Sequence, residues 1–84
     1  MKVIINNEVN FIDWQYDGES TSCILRRANK EVVTTSAIKK YHLDEHNKDL
    51  ARKISLRKLL DTTFPGFDGK KTRELVWKSY INRK

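Results

Sequence analysis

Glu8-Val9-Asn10-Phe11-Ile12-Asp13-Trp14-Gln15-Tyr16, then Asp17-Gly18, then Ser20-Thr21-Ser22-Cys23-Ile24-Leu25-Arg26-Arg27 is the stretch that decides the fold. Two runs rich in β-branched and aromatic residues flank an Asp-Gly pair, whose backbone accepts the left-handed turn that matches the twist of paired strands. The stretch therefore reads as a hairpin. Outward from it, Lys2 to Ile5 forms a short strand before the Asn6-Asn7 turn, and Ala28-Asn29-Lys30 turns the chain into a further strand from Glu31 to Thr35. The result is an antiparallel meander of three to four strands.

Alternation within Glu8 to Tyr16 is imperfect. Val9 and Phe11 fall on one face, whereas Ile12, Trp14 and Tyr16 fall on the other. Either a bulge near Phe11-Ile12 or a strand covered on both sides reconciles them, and the second option implies a subunit contact.

From Asp44 the composition changes to strong helix formers, with no Gly or Pro before Pro65. Asp44 is the expected N-cap of a helix reaching about Asp61, and Thr62-Thr63-Phe64-Pro65-Gly66-Phe67 breaks it. Asp68 is the expected cap of a second helix ending near Asn82, supported by Glu74 and Lys78 at i, i+4. The fold class is thus α+β, a small N-terminal meander followed by two C-terminal helices in one domain spanning residues 1–84.

With 84 residues, 38% apolar and 33% charged, the chain has a thin core, and association into a homo-oligomer is expected to relieve its marginal stability. Apolar runs such as Val3-Ile4-Ile5 and Leu75-Val76-Trp77 are far too short to cross a ~30 Å hydrocarbon core, so no membrane partner is expected. A lone cysteine, Cys23, and an N-terminus without the apolar stretch of a signal peptide fit a reducing cytoplasm.

Seventeen Lys and Arg against eleven Asp and Glu give a net charge of +6, which attracts nucleic acid, nucleotides or acidic protein surfaces and also serves plain solubility. The first helix carries Lys48, Arg52, Lys53, Arg57 and Lys58. At 100° per residue Leu50, Ile54, Arg57 and Leu60 share one side, with Leu56 and Leu59 extending the apolar arc. Arg57 thereby interrupts an apolar face, where an arginine must pair with an acid, snorkel or contact an anion. In the second helix Arg73, Trp77, Tyr80 and Ile81 adjoin, reading either as core anchors or as rings that stack on a base beside a phosphate-binding arginine.

His42 and His46 lie at i, i+4 around Asp44 and Glu45, but no H-E-x-x-H pattern or third ligand accompanies them, and no phosphate-binding glycine loop is present. Neither an enzyme, a metal site nor a cofactor is expected.

The stretch Tyr41-His42-Leu43-Asp44-Glu45-His46-Asn47-Lys48-Asp49-Leu50-Ala51-Arg52-Lys53-Ile54-Ser55-Leu56, followed by Arg73-Glu74-Leu75-Val76-Trp77-Lys78-Ser79-Tyr80, resembles a pattern in small bacteriophage proteins. There an Asp-containing loop leads into a helix with a G-R-K-x-A-L-like core, and a later helix carries R-x-x-x-W-x-x-Y; here Ala51 stands for the glycine and Ser55 for the alanine. The resemblance implies a phage protein in the host cytoplasm, similar to anti-defence "sponge" oligomers that sequester cyclic-nucleotide or ADP-ribose-like immune signals. Carried onto this chain it implies Arg52, Lys53, Arg57 and Arg73 as phosphate contacts, with Trp77 or Tyr80 beside the base. A non-catalytic binder of a small phosphorylated ligand is the leading expectation; a nucleic-acid-binding regulator and an inhibitor of a host defence protein are the alternatives.

Overall fold

The computed structural model describes residues 1–17, 20–39 and 48–82. Strands β1 (Lys2–Ile5), β2 (Glu8–Asp17), β3 (Ser20–Arg27) and β4 (Val32–Lys39) precede helices α1 (Lys48–Thr63) and α2 (Lys70–Ile81). The strands pair in the order β1-β2-β3-β4, each antiparallel to the next. This is the expected α+β layout. Asn6 and Asn7 both take positive φ, 51° and 65°, so the first hairpin closes through the left-handed conformation that asparagine tolerates. Lys30 does the same at 69°, and the Asn29 side chain accepts a hydrogen bond from the Glu31 N–H to hold the second turn.

The β2–β3 register runs unbroken from Asn10↔Arg27 to Asp17↔Ser20, so the bulge expected near Phe11-Ile12 does not occur. The irregularity lies between β3 and β4, where Leu25 opposes Thr34 and Arg26 opposes Val32, leaving Val33 as the extra residue. Strand β4 also runs to Lys39 and not only to Thr35. It follows β3 back to Ser20, because otherwise that end of the β3 ladder would be unpaired on one side.

This register puts Val3, Ile5, Ile12, Trp14, Cys23 and Leu25 on one sheet face, and both helices cover it. Leu56, Leu59 and Leu60 of α1 and Val76 and Tyr80 of α2 complete the buried cluster, with Met1, Trp14, Phe64 and Trp77 packed at its margin. Thr21, Ser36 and Ser55 are also buried; Ser55 donates to the Ala51 and Arg52 carbonyls, as a hydroxyl inside a helix commonly does. Burial pushes the Cys23 thiol up to about 12, so at neutral pH it is a small core residue and not a nucleophile.

Helix α1 extends two residues past Asp61, and the Phe64 N–H closes its last turn on Leu60 before Pro65 ends it. Asp44, His42 and His46 lie outside the described residues. Gly69, not Asp68, caps α2, with no side-chain hydrogen bond. A Cβ on Gly69 would stand 2.1 Å from the Phe64 carbonyl oxygen, so this buried position accepts only hydrogen. Glu74 and Lys78 form no ion pair. Among the described residues, no helix is long and apolar enough to cross a membrane.

Gly69→Ala should therefore destabilise the fold by roughly 1–3 kcal/mol, the usual cost of overpacking. Urea unfolding measures this. An unchanged midpoint would show that the Phe64 turn can move aside freely.

Candidate functional site

The inner side of α1 is set by Ala51, Ser55, Leu56, Leu59 and Leu60, all buried. Leu50 and Ile54 point the other way and are 48% and 45% exposed. Arg57 shares that outer side, which corrects the expectation that it interrupts the packed apolar face. Its side chain is 78% exposed, and its Nε lies 3.8 Å from Asp61 one turn on. Such a pair in water contributes at most a few tenths of a kcal/mol.

Arg52 sits nearer the sheet. Its backbone carbonyl accepts a 3.3 Å hydrogen bond from the Trp14 indole N–H, and its guanidinium donates to the Tyr16 hydroxyl at 3.0 Å. Asp49, one turn earlier, lies 3.8 Å from Arg52 and 3.1 Å from Lys53. From the far helix the Tyr80 hydroxyl donates a short hydrogen bond to the same carboxylate. The Tyr80 ring packs edge-on against Trp14 and Trp77, with centroids 5.6 and 5.9 Å away. One carboxylate thus ties β2, α1 and α2 together.

The electrostatics follow from these contacts. Tyr80 first, then Lys53, hold the Asp49 carboxyl below its ordinary 3.8. The hydrogen bond to Tyr16, followed by that to Tyr80, keeps Arg52 more firmly protonated.

Arg73 is at the other end of α2. Its Nη1 donates to the Phe64 carbonyl at 2.6 Å and to the Gly66 carbonyl at 2.8 Å, closing the C-terminal end of α1 and the Pro65-Gly66 turn. The six expected ligand residues therefore divide: Arg52, Lys53 and Tyr80 gather at Asp49 with Trp77 beside them, Arg57 faces outward, and Arg73 holds the interhelical turn. Tyr80 is 1% exposed, so its ring is a core element.

A different surface carries cations that no carboxylate among the described residues neutralises. A groove of about 560 Å³, open to solvent between β1 and α2, is lined by Met1, Lys2, Leu75, Lys78, Ser79 and Asn82. The Met1 ammonium at its edge donates to the Ile12 carbonyl at 2.8 Å and lies 3.4 Å from Asp13. Among the described residues, no acid pairs with Lys2 or Lys78. Lys71 is exposed and falls on the same α2 stripe as Leu75 and Lys78, by its four- and three-residue spacing. That stripe was readable from the sequence. Lys2 was not, because only the packing of α2 over β1 brings it there.

Among the described residues, no group of three or more His, Cys, Asp or Glu side chains could hold a metal ion. No protein-family model matches the chain, and no match is found among curated proteins or solved structures.

Tyr80→Phe removes the hydroxyl from Asp49 and should cost about 1 kcal/mol near neutral pH. Because Asp49 is held below its unfolded value, its contribution is fully present above that value and fades as pH falls through the folded one. The variant should therefore show a smaller loss of stability between neutral and acid pH than the parent. Unfolding midpoints across an acid series test this, and parallel curves for the two proteins would contradict it.

Proposed function

We propose that the protein is a non-catalytic nucleic-acid-binding module, held through backbone phosphates by lysines along the α2–β1 groove. The observation that carries the reading is that Lys2 and Lys78, beside that groove, have no acidic partner among the described residues, against the engaged state of the described α1 cations. Lys53 and Arg57 already lie against Asp49 and Asp61, and Lys58 donates to the Ala37 carbonyl. A lysine with no internal partner gives up only water and counterions when it meets a phosphate. An excess charge of +6 on so small a domain adds attraction at a distance.

The form of the groove favours a polymer over an enclosed small ligand. Small-molecule sites bury most of their ligand's surface, whereas this groove is open along its length. The aromatic pair suited to stacking, Trp77 and Tyr80, packs edge-to-face within the protein. Binding by phosphate contacts alone should be indifferent to base sequence.

Fluorescence anisotropy with labelled single- and double-stranded oligonucleotides tests the proposal. Neutralising about three phosphates should weaken duplex affinity roughly 20- to 50-fold between about 50 and 200 mM salt. Lys2→Glu and Lys78→Glu should each weaken binding, and Arg57→Ala should leave both binding and fold unchanged. Tight, salt-insensitive calorimetric binding of a cyclic nucleotide or an ADP-ribose derivative would overturn the reading in favour of sequestering a small phosphorylated ligand.

A further inference from the structure

No described element packs on the second face of the sheet, yet the sequence makes that face apolar at its centre. The register places Ile4 and Val9 in one cross-strand row, Lys2, Phe11, Arg26 and Val32 in the next, and Asp13, Ile24 and Thr35 in the one after. Ile24 is 5% exposed although it lies outside the helix-covered core cluster, and Val9 and Phe11 are half-buried. Ile4 and Val32, on the two edge strands, remain 56% and 48% exposed. A sheet with one solvated face ordinarily alternates apolar and polar residues; β2 places Phe11 and Ile12 in succession with no bulge between them, so both its faces are apolar. The face also carries both signs of charge. A hollow of about 340 Å³ on it is bounded by Phe11, Asp13, Arg26 and Lys30.

We propose that a second copy of this chain docks on the helix-free face, sheet against sheet, about a two-fold axis. An isologous contact requires a surface complementary to itself. An axis lying across the strands, between the Phe11 and Asp13 rows, meets that condition. It lays each row over the other while keeping β2 opposite β2, so Asp13 of one copy comes over Phe11 of its partner, between the partner's Lys2 and Arg26. Phe11 and Ile24 of the two copies then pack diagonally about the axis, Val32 lies at the margin, and the opposite charges around them fix the register. Four strands at about 4.8 Å spacing and eight residues at about 3.3 Å give a projected patch of roughly 500 Å². Its corrugated accessible area is of the order of the ~800 Å² per partner found in stable interfaces. The face lies opposite the helices, and Lys2 of the edge strand borders both this face and the groove, so the dimer is tested by variants that leave Lys2 and Lys78 unchanged.

Sedimentation velocity of the full chain from roughly 1 to 100 µM tests the proposal. A dimer is expected, and Ile4→Glu with Val32→Glu should give a monomer whose circular dichroism matches that of the parent, since both positions are exposed. Asp13→Arg should weaken the dimer roughly tenfold or more, and adding Arg26→Asp should restore much of it with the unfolding midpoint of the dilute monomer unchanged throughout, a combination that a local effect within one chain would not produce. A parent that stays monomeric throughout would overturn the proposal. So would a dimer indifferent to the Ile4 and Val32 changes, or a charge reversal without rescue.

Discussion

The carboxylate of Asp49 is the point at which β2, α1 and α2 are tied together. It accepts from Tyr80 on α2, lies against Lys53 and Arg52 on α1, and through Arg52 reaches Tyr16 and Trp14 on β2. A short meander covered, among the described residues, by α1 and α2 has little apolar area with which to fix the helices in place. Directional bonds from one half-exposed acid, backed by the Trp14–Tyr80–Trp77 ring contacts, supply the missing specificity. At the opposite end of the helix pair, Arg73 does similar work on the Pro65-Gly66 turn, and Gly69 lets that turn close against α2.

This use of charge decides where a partner can be sought. The cations that look most like a ligand site along the chain are concentrated in α1, and the fold has given each described one an internal contact or a nearby acid. Charge density in a sequence therefore points to a helix, while availability belongs to the side chains that packing leaves alone. Lys2 and Lys78 belong to that second group and both border a groove that neither β1 nor α2 forms by itself.

Much of the architecture was legible in the residues because it is local. Asn6-Asn7 and Asp17-Gly18 announce their hairpins, Pro65 ends α1, and the strand limits of β1 and β3 follow from composition. What was not legible depends on non-local partners. The length of β4 is set by the ladder β3 offers, and the cap of α2 by the approach of Phe64 to Gly69. The position of Arg57 depends on which part of a broad apolar arc meets the sheet: with Leu50, Ile54, Leu56, Leu59 and Leu60 spread most of the way around α1, helical geometry alone did not choose between sides, and the packing selected the side with the small residues Ala51 and Ser55. The two apolar faces of β2 were visible from the start, and the unbroken register shows that they are a property of the sheet and not of a bulge.

The most direct measurement is an amide chemical-shift map of the labelled protein titrated with a short duplex at low salt. The expected result is a contiguous set of perturbations at Lys2, Lys71, Leu75, Lys78, Ser79 and Asn82, with Arg57 and the outer side of α1 unaffected. Perturbations centred on Arg52, Lys53 and Arg57, with the α2–β1 groove silent, would contradict it.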